Sequence, residues 1–263
     1  NFQGQVNASG TNITLRDVNA LQLGSVTATG SLTTLTGTNL TQAAGTAVDV
    51  AGTASLTATA GAVTLNEAGN NFQNTVSASG TNITLRDVNA IQLGNVTATG
   101  TLGVTAGTNI TQAAATAVSV TGTANLTATA GAVTVNQAGN NFQSTVTASG
   151  TNVALRDTNA IQLGNITATG TLGVTAGTNI TQAAATAVTA TGATTLTATA
   201  GAVTLNQTGN DFQNTVNASG TNITLRDTNA IQLGTVTATG TLDVTAATNI
   251  TQAAATAVSV TGT

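Results

Sequence analysis

Apolar residues occupy every second position in short runs along the whole chain. In residues 71–140 the runs are VSASG (76–80), NITL (82–85), IQLG (91–94), VTATG (96–100), LGVTAG (102–107), NITQ (109–112), VSVTG (118–122), NLTATAG (125–131) and AVTVN (132–136). Alternation with period two is the pattern of a half-buried strand. Gly and Asn, residues of tight turns, separate the runs. Frequent Thr and β-branched side chains, closely spaced Gly and the lack of capping residues disfavour helix.

The pattern returns every 70 residues without insertion or deletion. Phe2, Phe72, Phe142 and Phe212 mark it, as do the dipeptides Arg16/Asp17, Arg86/Asp87, Arg156/Asp157 and Arg226/Asp227. The repeats are 1–70, 71–140, 141–210 and an incomplete 211–263, read together as one continuous β-solenoid over 1–263. Nine runs per repeat suggest three coils of three strands. Val76, Val96 and Val118 mark the coil starts, and the third coil is long enough to absorb the turn NQAGNNFQS (136–144). The expected fold is all-β: a parallel β-solenoid (β-helix) of triangular cross-section, about three coils per 70-residue repeat. Neighbouring coils lie roughly 4.8 Å apart, and about eleven of them would make the chain.

Substitutions between repeats separate inside from outside. Ile83 becomes Val153, Val96 becomes Ile166, Val135 becomes Leu205 and Val120 becomes Ala190, so these slots are expected to face inward. The slot of Gly103 holds Thr33, Gly173 and Asp243, and that of Ser119 holds Asp49, Thr189 and Ser259. A charge is tolerated at both, which a dry core without a partner would not permit. Thr34 falls on the inward slot of Val104. Either the register slips there or a Thr is buried with a hydrogen bond.

Composition then removes chemistry. The chain has no His, Cys, Lys, Pro, Met, Trp or Tyr, and its net charge is −4. No ordinary zinc, haem or iron–sulfur site can be assembled, and the Ser–His, Cys–His and Lys nucleophiles lack their partners. Four Arg and an acidic balance do not make a nucleic-acid footprint. No apolar run is long enough for a membrane helix, and no basic-tipped apolar leader opens the chain. Neither end shows an atypical capping segment, so the chain reads as an excerpt of a longer array.

The runs ITLRDVNAIQLGNVTATGTLGVTAGTNITQ (83–112) and GAVTLNEAGNNF (61–72) resemble the repeats of filamentous-haemagglutinin-like proteins. The resemblance covers essentially the whole chain. It implies a right-handed β-helix from a very large bacterial surface or secreted adhesin, acting as a stalk, fibre or adhesive.

The candidate residues read as structural. The four Arg-Asp pairs recur identically, whereas a catalytic site is built once. They are expected to form a corner salt bridge or to keep a shaft soluble. Each Phe is expected to fold over the core edge from its turn, the rival reading being a stacking platform for sugars. The acids Asp49, Glu67, Asp211 and Asp243 are scattered, and no calcium-loop motif is present. Asn at the turns is expected to stack in amide ladders and to adopt left-handed backbone. Thr-x-Thr pairs are expected to fall on different sides, against an ice-binding face. No catalytic, cofactor or metal residue is assigned. The expected protein is a non-enzymatic, extracellular or cell-surface shaft without cofactor. Its partners would be more of the same chain end to end and a glycan or cell surface, not nucleic acid or a membrane interior.

Overall fold

The computed structural model describes residues 1–262. Every regular element among them is a β-strand. The chain forms two compact units, Asn1–Gly131 and Ala132–Thr263.

In the first unit the chain alternates between two parallel sheets. One sheet takes Val6–Gly10, Leu21–Ala28, Leu40–Gln42 with Val48–Val50, Val63–Leu65 with Asn71–Phe72, Ile83–Asp87, Leu102–Ala106 and Ala124–Ala128. The other takes Ile13–Asp17, Leu32–Thr36, Ala54–Ala58, Thr75–Gly80, Ile91–Ala98 and Ile110–Gln112 with Val118–Val120. The second unit alternates in the same way. There, Thr145–Gly150, Ile161–Ala168 and Leu242–Ala246 lie in one sheet, and Val153–Asp157, Leu172–Ala176 and Ile231–Ala238 in the other. The chain comprises about 13 coils, more than the eleven expected from the runs.

Register explains the difference. Ser9 pairs with Thr27, Thr27 with Asp49, and Asp49 with Asn71. Three coils therefore span the 62 residues from Ser9 to Asn71. The remaining eight of the period carry the chain across, and Ser79, the equivalent of Ser9, lies in the opposite sheet. Three complete coils fit in a repeat, and a further half follows them. In the second unit the same steps run Ser149, Thr167, Thr189, Asp211, with Ser219 opposite. The triangular cross-section is corrected to a two-sided one. NITQ and VSVTG are two pieces of one side, divided by the looped-out AAATA (113–117), so counting runs overcounts sides.

The core is what the alternation demands. Ile83, Val96, Val135, Val153, Ile166 and Leu205 are buried, as are Val120 and Ala190. Asp243 is exposed. Backbone N–H and C=O groups pair from coil to coil, including at corners, where Ile83 N donates to Thr101 O and Leu102 N to Thr123 O, each at 2.9 Å. At one corner the coils approach too closely for a side chain. A Cβ on Gly107 would run into the Val88 carbonyl oxygen. The fourth repeat carries Ala247 there. Its N–H reaches Asp227 O at 3.3 Å, where Gly107 and Gly177 reach their Asp carbonyls at 3.0 Å.

The first-repeat strand Leu32–Thr36 keeps register, with Thr34 opposite Leu15 and Leu56. Thr34 is buried, and its Oγ1 has no hydrogen-bond partner. Both expected outcomes, a slip or a satisfied Thr, are corrected. Thr194 Oγ1 is buried in the same condition.

Candidate functional site

The recurring Asp is a backbone lock. Alternation along Ile83–Asp87 turns Asp87 inward and Arg86 to solvent. Asp87 is 2% exposed. Its Oδ2 accepts a hydrogen bond from Phe72 N, 15 residues earlier, at 2.6 Å, and its Oδ1 accepts one from Asn89 N at 2.7 Å. The carboxylate thus closes its own corner and clamps the preceding rung. Asp17 takes Phe2 N and Asn19 N, Asp157 takes Phe142 N and Asn159 N, and Asp227 takes Phe212 N and Asn229 N, all within 2.6–2.8 Å. Charged acceptors make such bonds short and strong. The expected corner salt bridge is corrected: Arg16, Arg86, Arg156 and Arg226 lie outside, on the opposite face of the strand from their neighbouring Asp.

The lock titrates differently along the chain. Desolvation pushes the Asp87 and Asp157 carboxyls above the ordinary range, outweighing the two N–H donors on each. At Asp17 the donors Phe2 N and Asn19 N prevail and hold the carboxyl below that range.

Phe72, Phe142 and Phe212 are core residues, each at most 2% exposed, while Phe2 is 41% exposed. Phe72 stacks in register on Val50, and Phe212 on Ala190. The reading of Phe as a turn residue over the core edge is corrected for these three. They form short rungs, and their rings are closed to a sugar.

A second lock escaped sequence reasoning. Asn70 and Asn210 are fully buried. Asn70 Oδ1 accepts from Val48 N at 2.9 Å and from Gln42 Nε2 at 2.6 Å, and its Nδ2 returns a bond to Gln42 Oε1 at 2.8 Å. Asn210 repeats this with Val188 N and Gln182. The pair ties the looped-out segment to the next coil, 28 residues on. No local pattern announces it, because NEAGNN looks like any polar turn.

The expected amide stacking occurs at one corner, where Asn89 Nδ2 donates to Asn71 Oδ1 and Asn159 Nδ2 to Asn141 Oδ1, each at 3.4 Å, but not at the corner of Asn12 and its equivalents. Asn12, Asn82, Asn152 and Asn222 each accept, through Oδ1, the N–H and hydroxyl of Ser31, Thr101, Thr171 or Thr241 in the next coil. The left-handed backbone belongs to Ala115, Ala185, Ala255 and Gly45, in the looped-out segments.

Outward side chains form shallow relief. In the first unit a hydroxyl row runs Thr57, Ser79, Thr97, Ser119 in register, while the Thr-x-Thr strands Ile91–Ala98 and Ala124–Ala128 lie in different sheets, as expected of such pairs. Leu35 precedes the row and Arg16 lies beyond it. A cleft of about 300 Å³ opens between Gln73, Asn74, Ala90, Gln92 and Thr111, over Phe72. Its counterpart in the second unit, about 280 Å³, lies between Gln213, Asn214, Ala230, Gln232 and Thr251. In each, a Thr hydroxyl holds the Gln carbonyl: Thr75 to Gln92 Oε1 at 2.7 Å and Thr215 to Gln232 Oε1 at 2.8 Å. Backbone N–H groups of the same two Thr hold Asn74 and Asn214 by Oδ1 at 2.7 Å. Among the described residues no group of three or more His, Cys, Asp or Glu could hold a metal, and no helix is long and apolar enough to cross a membrane.

A protein-family model described as repeats of unknown function, DUF5649, matches residues 10–79, 80–149, 150–219 and 220–263. The matched segments have the 70-residue period of the sequence, displaced by nine residues from repeats that open at Asn1, Asn71, Asn141 and Asp211. No curated protein matches the chain, and no solved structure does.

Proposed function

The chain belongs to the DUF5649 family of repeats, and from its architecture we propose that it is a structural, non-enzymatic repeat segment of a large extracellular bacterial protein, serving as a rigid shaft in attachment. The observation that carries this reading is where the recurring polar groups are spent. The one buried charge of each repeat binds backbone N–H groups of two coils, and the buried amide pair binds a loop to the next coil. Each feature stiffens the stack at a fixed interval, as a rigid shaft requires. Stability of such a stack is the sum of its nearest-neighbour interfaces, so length can grow without redesign. Placement at a bacterial surface and a role in adhesion rest on the resemblance to filamentous-haemagglutinin-like repeats.

The partner in this reading is more of the same kind of coil, end to end. Each coil pairs in parallel with the coils before and after it at matching positions, as Ile161 with Ile180 and Ile180 with Val203, so one coil is a template for the next. Electron microscopy of the 263-residue chain at rising concentration tests the proposal. Straight particles that lengthen by joining at their ends support it. Flexible threads, or particles that stay single at every concentration, overturn it.

A further inference from the structure

We infer that the clefts at Asn74/Gln92 and Asn214/Gln232 are binding sites for a neutral polysaccharide. The two clefts share the same residues at the same places, and their volumes sit near the lower limit of roughly 300–1,000 Å³ for small-ligand sites. Their walls carry carboxamides and a Thr hydroxyl, with the Ala90 or Ala230 methyl between them and no charged side chain. That mixture suits a sugar ring, which offers hydroxyls at its edge and C–H groups on its face. An ionic polymer finds no counter-charge there.

The amides are held ready. Thr75 and Thr215 engage the carbonyl ends of Gln92, Gln232, Asn74 and Asn214. The nitrogen ends are left as donors, fixed in advance, so that binding costs less side-chain ordering. A peptide added as a strand is not favoured, because the sides of the coils offer no open edge: Ile91–Ala98 and Ile231–Ala238 are each paired on both sides in parallel.

The repeats contain their own control. The third repeat keeps the Thr145–Gln162 bond at 2.7 Å, but Ser144 stands where the others have Asn74 and Asn214. In the first repeat the position is Gly4. Sites therefore occur in alternate repeats. Ser144 lies beside the sheet opposite to that of Asn214, so within the second unit one side carries a site and the other does not. Single sites of this kind bind weakly, and a polymer that presents the same sugar many times gains through its high local concentration.

The test uses the intact 263-residue chain and a panel of neutral oligosaccharides: β- and α-glucans, mannans, galactans and chitin fragments. Nuclear magnetic resonance follows the side-chain amides. Expected are shifts of the Asn74, Gln92, Asn214 and Gln232 amides with at least one member, and retention on the matching polymer. Gln92→Glu with Gln232→Glu keeps the acceptor for Thr75 and Thr215 but removes the donors, and lowers retention roughly tenfold, the effect of about one lost hydrogen bond. Ser144→Asn adds a third site and raises retention. No shift with any sugar, shifts confined to other residues, or retention only on acidic polymers overturns the inference. A chain that forms end-joined particles yet binds no sugar leaves the shaft standing and removes the sites. Sugar binding by a chain that stays single does the reverse.

Discussion

Residues 13–36 and 83–106 carry the same stretch of the repeat, in the same unit, with sheets exchanged. Both begin ITLRD, and both Asp residues hold a Phe N–H behind and an Asn N–H ahead. The next coil differs. It reads LTTLT at Leu32–Thr36 and LGVTA at Leu102–Ala106, yet the two strands pair at matching positions: Thr34 with Leu15, and Val104 with Leu85. Register imposed by the neighbouring coils overrides the polarity of the filler. Thr36 accommodates this by donating to Thr38 O at 2.8 Å. Thr34 finds nothing.

The largest effect is expected where the two stretches agree. Asp87→Ala removes the acceptor of two short bonds and strands the Phe72 and Asn89 amides, costing on the order of 3 kcal/mol. Arg86→Ala, on the adjacent outward position, changes stability by less than about 0.5 kcal/mol. Hydrogen exchange read at the Phe72 and Asn89 amides checks the difference. Equal losses in the two variants would mean that the pair works as a salt bridge after all.

Exchanging the fillers comes next. Val104→Thr should cost about 1–3 kcal/mol by burying another orphan hydroxyl, and Thr34→Val should gain about 1 kcal/mol by removing the one present in its slot. Denaturant midpoints measure both. A stabilising Val104→Thr would show that this slot supplies a partner. Smaller still, Ala247→Gly should relieve the crowded corner, shortening the bond to Asp227 O and increasing the protection of its amide, while Gly107→Ala should do the opposite.

The inward residues were legible because alternation is a local property. Ile83, Val96, Val120 and Val135 could be placed from their neighbours and from substitutions alone. The stacking was not legible. Asn71–Phe72 is a two-residue strand, too short to alternate, so it passed for part of a turn and its half coil was lost. The Asp87 lock reaches back 15 residues and the Asn70–Gln42 pair 28. In a chain repeating without insertions every spacing is constant, so constancy could not single out these two. Arg and Asp stood out as charges, and adjacent strand residues point to opposite faces, but that the Asp of each pair is the inward one followed only from the burial of its neighbours. The amide clefts combine Gln73 and Asn74 with Gln92 and Thr111, residues brought together only by the coil register.

The subtlest contrast is in titration. The Asp87 carboxyl lies above its unfolded value, so its contribution to stability is full below the unfolded pKa and is lost as pH rises through the folded one. The Asp17 carboxyl lies below its unfolded value, so its contribution is present above the unfolded pKa and is lost as pH falls through the folded one. Carboxyl carbon shifts followed against pH should show Asp17 titrating before Asp87 as base is added. The reverse order would mean that the two locks do not differ in desolvation as described.

Cysteine pairs test the half coil that closes each repeat most directly, since the chain has no cysteine of its own. Adjacent strands lie about 4.8 Å apart, within the roughly 4.4–6.8 Å between Cα atoms that a disulfide bridges. Asp49→Cys with Asn71→Cys should oxidise readily to an intramolecular disulfide, and Asp49→Cys with Ser79→Cys should not. A fast disulfide in the second pair and none in the first would place Ser79 above Asp49 and restore three coils of three sides.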